Sequence, residues 1–332
     1  MKPKIAIDIG SSYTKIYKSK VDVVLCEPTC IAIKNKNYRT PFACGLEAYA
    51  LIGKTPENVE IIFPVNGSEI TNNRALVALI EYFIKKIKKP FEFIQDVLLS
   101  VGCGFNRDII KKFENALLGA KLYNVCFAES PLLALLGAGE DLSYETPNAV
   151  IDLGGSQTTV CVLTLAGVIS GASADIGGNT LNKMIISHLE VEHNFLISNH
   201  SAEILKTQLA SLDEDDETKI VISGKDTLSG KQKVSQVSAS QIYPAVKGFM
   251  EKVIEIITVI LSGLSPETIE SINRNGIYLT GGGAGIYGIS DYLDYKLEMK
   301  TQVAKENDIA TIIGAGKLVE NYELLEKLKL KV

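Results

Sequence analysis

The chain has 332 residues, of which 46% are hydrophobic and 22% charged, and its formal net charge is −5. That length suits about two domains of the usual ~150 residues, and the balance is that of a folded globular protein, not a disordered one. A net negative chain argues against broad nucleic-acid binding through a basic surface, so no nucleic-acid partner is expected.

The first elements are strands. Residues 5–33 alternate in the strand manner, beginning with "IAIDIGSSYTKIY" at 5–17. Because "MKPKIAIDIG" runs straight into this pattern, neither a signal peptide nor an N-terminal amphipathic helix is expected, and the location expected is the cytoplasm. The six cysteines (Cys26, Cys30, Cys44, Cys103, Cys126, Cys161) form no CxxC pair and read as reduced thiols. Residues 72–89 carry apolar residues at helical spacing and end in lysines, which suit a helix C-terminus. A strand follows at 96–101, a helix over 106–120 ending at Gly119, and the short strand "NVCFA". Next comes a helix over 130–139, with Ser130 as its cap and Pro131 at its first position, and then the turn "ETPNA".

After residue 150 the order begins again. Hairpin strands lead to a helix over 179–195, a polar segment, further strands, a long helix over 240–263, the strand "GIYLT" and a glycine turn. "VIEIITVILSGL" (253–264) is shorter than the ~20 residues of a membrane span and carries Glu255, so it reads as a buried helix. The acidic run "SLDEDDETK" (211–219) reads as a solvated turn. The spacings of His188, His193 and His200 match no metal motif. Strands alternating with helices predict an α/β fold with two similar halves.

The two hairpins carry the chemistry. Asp8-Ile-Gly10-Ser-Ser12-Tyr-Thr14 aligns without gaps on Asp152-Leu-Gly154-Gly-Ser156-Gln-Thr158. Glycine and serine admit backbone N–H groups to an anion and add hydroxyl donors, which suits phosphate. The carboxylates would be repelled by phosphate unless a divalent cation lay between, which makes Asp8 and Asp152 candidate metal residues. Both sites are strand–turn–strand. A Walker loop or dinucleotide fingerprint is strand–turn–helix, and the Walker lysine is missing. The bland alternative is two ordinary hairpins of Asp-Gly character. Against it stands a third motif, "GIYLTGGGAGIYGISDYL" (276–293), where Gly281, Gly282 and Gly283 let backbone pass close to a flat ligand.

In this order the three motifs resemble the actin superfamily of ATPases. Further stretches resemble its bacterial MreB-like members: "EPTCIAI", "GLEAYALIGKTPENVEIIFPVNGSEITNNRALVALIEYFIKKI", "ESPLLALLGAG", "SAEILKTQL" and "IIGAGKLVENYELL". The resemblance covers nearly the whole chain. It implies an actin-like (ribonuclease H-like) duplicated α/β fold, two lobes around a nucleotide cleft. One lobe would hold 1–145 and 309–332, with a small subdomain near 31–65. The other would hold 146–308, with a small subdomain near 178–240. ATP or ADP with Mg²⁺ would occupy the cleft, and the chain would assemble with itself head to tail into protofilaments. Asp8 and Asp152 would order magnesium and its waters. Gly10, Ser11, Ser12 and Tyr13, with Gly154, Gly155, Ser156 and Gln157, would surround the phosphates, beside Gly178 and Asn179. Glu203 and Lys206 would face ribose and adenine, with Gly281, Gly282 and Gly283 beneath the nucleoside.

The hydrolytic positions depart from that pattern. Where MreB-like proteins usually read Glu-Glu-Pro, with the second Glu ordering the attacking water, this chain has Glu129, Ser130 and Pro131. A family threonine in the second phosphate loop is Gln157, and the family Gly-Asp-x-Met-Asp is Gly178-Asn179-Thr180-Leu181-Asn182. Losing a positioned carboxylate costs on the order of 10²–10⁴ in rate. Nucleotide binding with slow or rewired hydrolysis is the expectation, with Gln157 as a water-positioning substitute. The alternative is that Glu129 takes the active position.

"IKKIKKPFEFIQD" (84–96) places Lys85, Lys86, Lys88 and Lys89 before Pro90, Phe91 and Phe93. That pattern suits an anionic membrane surface and a peripheral location at the inner face of the cell membrane. The competing reading is a solvated helix end and a strand whose Phe residues are core. Two further function classes stay in view. One is a non-polymerising actin-fold adaptor, like FtsA or pilus-assembly ATPases, using ATP as a conformational clamp. The other is a small-molecule kinase, for which no acceptor-activating base is evident. A chaperone reading would need a following peptide-binding domain, which is not found before residue 332.

Overall fold

The structure, a computed structural model, describes residues 2–331 apart from 141, 143 and 144. Two five-stranded sheets share one plan. In the first, Ile5–Ile9 pairs antiparallel with Tyr13–Lys18, which pairs antiparallel with Asp22–Pro28; on the other side Ile5–Ile9 runs parallel to Asp96–Val101, and that strand parallel to Asn124–Glu129. The second repeats the arrangement with Asn148–Leu153, Thr158–Thr164 and Gly167–Ala174, then Ile277–Thr280 and Thr301–Val303. The register puts Asp8 opposite Lys15 and Asp152 opposite Thr159.

Each sheet has its own apolar core. Helix Asn73–Ile87 buries Leu76, Leu79, Ile80 and Phe83 over the first, where Ile5, Ile7, Val97 and Leu99 supply the other face. Helix Ala239–Ser262 does the same over the second with Ile242, Val246, Phe249 and Val253. The segment 253–264 that resembles a short membrane span lies largely within this helix, and Val253 and Ile257 are fully buried. Among the described residues no helix is long and apolar enough to cross a membrane.

Two small sheets extend the halves: Ala43–Cys44, Ile31–Lys34 and Val59–Ile62 in one, Phe195–Leu196, Lys219–Asp226 and Gln232–Ser238 in the other. A third cluster joins the repeats. It brings Ala6 and Leu98 of the first sheet and Val150 and Cys161 of the second onto helices Ser130–Ala138 and Ala310–Glu320. Those helices lie nearly backbone to backbone. A Cβ on Gly314 would sit 1.8 Å from the Leu133 carbonyl oxygen, and one on Gly137 would sit 1.8 Å from that of Ala310.

Element ends differ from the sequence reading by a residue or two. Strand Asn124–Glu129 feeds directly into helix Ser130–Ala138, so Glu129 holds the N-cap position without a side-chain bond. Ser130 is therefore not a cap: it is the first helical residue and Pro131 the second. The lysine-rich helix stops at Ile87, which leaves Lys88 as its C-cap and Lys89 beyond it. Residues 89–95 form no strand, and Phe91 (99% exposed) and Phe93 (74% exposed) face solvent, which removes the core-phenylalanine reading.

Candidate functional site

The two Asp-x-Gly turns are built alike. The Gly10 N–H donates to the Tyr13 carbonyl at 3.0 Å, and the Gly154 N–H to that of Gln157 at 2.9 Å. The recurring threonines are anchors: buried Thr14 bonds the hydroxyl of Thr29, and buried Thr158 donates to the Ile176 carbonyl. Each therefore ties its turn to the far end of the third strand, leaving glycine and serine at the tip.

The tips meet across one cleft of about 620 Å³. Its wall includes Asp8, Gly10, Ser11, Ser12 and Tyr13 from the first repeat, and Asp152, Gly154, Gly155, Ser156 and Gln157 from the second. Gly178, Glu203, Lys206, Gly281, Gly282, Gly283 and Ser130 line it as well. Two expected residues lie outside the lining. Asn179 sits behind the second turn, donating its side-chain amide to Ser156 Oγ at 3.2 Å. Glu129 is half-buried, and that burial raises its carboxyl above the ordinary value. The turns touch directly: a Cβ on Gly155 would lie 2.0 Å from Ser12 Oγ, so a side chain there would push the Ser12 hydroxyl aside.

The surroundings of Asp152 disfavour its ionised form. Burial pushes its pKa up, and the nearby Asp8 carboxylate adds to this; Lys15 and the Thr280 hydroxyl, which donates to Asp152 Oδ1 at 3.0 Å, oppose it. Lys15 Nζ stands 3.8 Å from Asp8 Oδ2. Two carboxylates repelling each other in a recessed site are a fitting donor set for a hard divalent cation, which takes oxygen ligands.

Around the rim, Glu203 Oε2 accepts from Lys206 Nζ and from the Asn182 amide, both at 2.7 Å. The glycine turn is held by a reciprocal pair, in which Gly281 N–H donates to the Asn307 carbonyl and the Asn307 amide donates back, each at 2.8 Å. Gln157 donates to Asp175 Oδ1 at 2.9 Å. The Gly67 turn leans over the same place, donating its N–H to Ser11 Oγ at 2.7 Å. Of the histidines, His188 and His193 pair edge-on, and His200 meets the ring of Tyr49 across the two halves at 5.9 Å.

Sequence reasoning missed Lys15, Gly67, Thr280 and Asn307. Lys15 carries a usable signal, since it lies on the strand paired with Asp8 and points to the same face. The other three arrive through contacts over long sequence separations, which no local pattern records.

Comparison with known proteins agrees with this geometry. The family described as MreB/Mbl protein matches residues 2–327. The cell shape-determining protein Mbl of Bacillus subtilis (strain 168) is 27% identical over 329 residues, covering 98% of each chain. The cell shape-determining protein MreB of Escherichia coli (strain K12) is 28% identical over 327 residues, 96% of this chain and 94% of that one. Among solved structures, MreB5 of Spiroplasma citri bound to AMPPNP superposes with a TM-score of 0.91 at 25% identity, covering 98% of both chains. A MamK double helical filament shares the fold, with a TM-score of 0.78 at 16% identity over 96% of this chain and 98% of that one. The fold is thus actin-like, as the resemblance of the three motifs implied. A match running from residue 2 to residue 327 leaves neither repeat outside it, and the chain belongs to the MreB/Mbl family.

Proposed function

We propose that this chain is a nucleotide-dependent, filament-forming bacterial cytoskeletal protein of the actin-like type. The observation that carries the reading is the facing pair of hairpin turns, one per repeat, with Asp8 and Asp152 in the wall of a single cleft. The relatives support it: two MreB5 structures are bound to AMPPNP and to ADP, and the curated relatives are cell shape-determining proteins. The adaptor and kinase alternatives gain nothing from these matches.

In this reading the turn backbones and the Ser11, Ser12 and Ser156 hydroxyls bind the phosphates of ATP or ADP. Asp8 and Asp152 would hold Mg²⁺, which would supply positive charge against the phosphates. Lys15 sits beside both acids and adds a fixed positive charge. Glu203 accepts from the ribose, and Gly281–Gly283 pass beneath the nucleoside. A ligand touching both turns stabilises the closed arrangement by its differential affinity, and the closed form is the one that adds to a filament. Hydrolysis is slow, because Ser130 has no carboxylate with which to orient water and Glu129 lies outside the cleft lining. The lobes divide as 1–145 with 309–332, and 146–308. Phe91, Phe93 and the lysines at 85, 86, 88 and 89 dock the filament on an anionic membrane from the cytoplasmic side.

The test is sedimentation and negative-stain electron microscopy with and without Mg²⁺-ATP. Ordered protofilaments that need nucleotide are expected. Monomers at high concentration with ATP bound would instead favour the adaptor reading.

A further inference from the structure

Cys103 and Cys161 come from different repeats. Cys103 follows strand Asp96–Val101 of the first sheet, and Cys161 lies in the middle of strand Thr158–Thr164 of the second. Their sulfur atoms stand 4.0 Å apart. Two other cysteines point their thiols at carbonyl oxygens, Cys30 at Gly45 and Cys126 at Val97. The 103/161 contact is thiol to thiol. Gly171, the cross-strand partner of Cys161, leaves room for it, since a Cβ there would lie 3.2 Å from both sulfurs. Cys161 is fully buried, whereas Cys103 is partly exposed on a turn whose neighbours Gly102 and Phe105 line the cleft.

We propose that Cys103 and Cys161 form a peroxide-sensitive modification site that closes into a disulfide between the two lobes. The division of labour follows from exposure. The Cys103 thiolate attacks the peroxide O–O bond, becomes a sulfenic acid, and releases hydroxide, which leaves as water once protonated. The Cys161 sulfur then attacks Cys103 Sγ; the S–O bond breaks, a second water leaves with the Cys161 proton, and the S–S bond forms. Two thiols lose two electrons, and one hydrogen peroxide becomes two waters. Contact with Cys161 draws the Cys103 thiol below its ordinary pKa, as suits the attacker, while that contact and burial push Cys161 up, so Cys161 stays a thiol and gives up its proton only as it attacks. Closure needs the sulfurs to move from 4.0 Å to about 2.05 Å, a shift within reach of the exposed turn. A pair of this kind in a reducing compartment forms transiently under oxidant. Once formed, it ties the Gly102–Phe105 wall to the second sheet and slows nucleotide release. That last effect rests on the proposed nucleotide site; the disulfide itself does not.

The experiment uses the full, reduced chain with stoichiometric hydrogen peroxide, an N-ethylmaleimide quench and peptide mass mapping. A Cys103–Cys161 linked peptide is expected as the main product, with the other four cysteines alkylated. Cys103→Ser and Cys161→Ala should each abolish it. The linked chain should gain about 3 °C or more in Tm, reversed by dithiothreitol. It should also release a bound fluorescent ATP analogue about tenfold more slowly. Cys103 passing to sulfinic acid without the link, or other pairs dominating, would overturn the site; a mapped link with unchanged release would overturn the lock. A chain that takes up no nucleotide fails the nucleotide reading alone, since mass and Tm still decide this one.

Discussion

Ser130 lines the cleft at the start of its helix, one residue past Glu129, which does not. A carboxylate at 130 would reach the cavity and would suit the positive end of that helix. Ser130→Glu should therefore raise phosphate release from Mg²⁺-ATP at least tenfold, and an unchanged rate would remove Ser130 from the hydrolytic argument. Asp152 gives the opposite kind of prediction. Its ionised form is disfavoured by burial and by Asp8, so removing that charge should stabilise the nucleotide-free fold at neutral pH. At neutral pH the nucleotide-free Asp152→Asn chain should melt about 2 °C or more above the parent. It should also lose the further rise in Tm that Mg²⁺-ATP gives the parent. Differential scanning fluorimetry with and without the complex reads both; equal melting behaviour in the two chains would contradict the assignment.

At the scale of elements, Ser130–Ala138 and Ala310–Glu320 cross nearly backbone to backbone. A methyl group on Gly314 would meet the Leu133 carbonyl, a backbone atom that cannot swing aside. Gly314→Ala should cost about 1–3 kcal/mol, the range for overpacked cores, measured by denaturant unfolding; a neutral change would mean that the helices separate easily. The segment after helix Asn73–Ile87 is the converse, an exposed device with little to hold it in. Phe91 lies at φ 63°, almost wholly in solvent, and Lys88 Nζ stands 5.8 Å from the Phe93 ring centre. Phe91→Ser should reduce pelleting with anionic liposomes severalfold and leave nucleotide binding unchanged, whereas equal pelleting would reject the loop as a membrane contact. This segment also shows what a sequence can carry. Its lysines and phenylalanines were legible as a pattern, but whether the rings face core or water depends on residues 89–95 forming no strand. The Ser130 cap failed for a similar reason. A strand that passes straight into a helix leaves no separate capping residue, and Ser-Pro at a helix start reads equally well in either register.

For the whole molecule, the duplication was the legible part. Asp, Gly, Ser and Thr recur at the same offsets in both hairpins, where Gly10 and Gly154 make the same turn bond and Thr14 and Thr158 are buried anchors. The identical order of the two sheets is that repetition expressed in three dimensions. What joins the halves was not legible. Gly155 against Ser12 and Tyr49 against His200 depend on how the repeats are docked, while Gly67 on Ser11 and Thr280 on Asp152 are long-range pairings within one half. The account's central claim belongs to this scale: both acidic turns act on one metal-bound phosphate chain. The measurement that tests it most directly is an experimental structure of the chain with Mg²⁺ and a non-hydrolysable ATP analogue. The account predicts the metal between Asp8 and Asp152, with the phosphates between the Gly10–Ser12 and Gly154–Ser156 turns. A nucleotide seated away from either aspartate, or a cleft that takes up none, would contradict it.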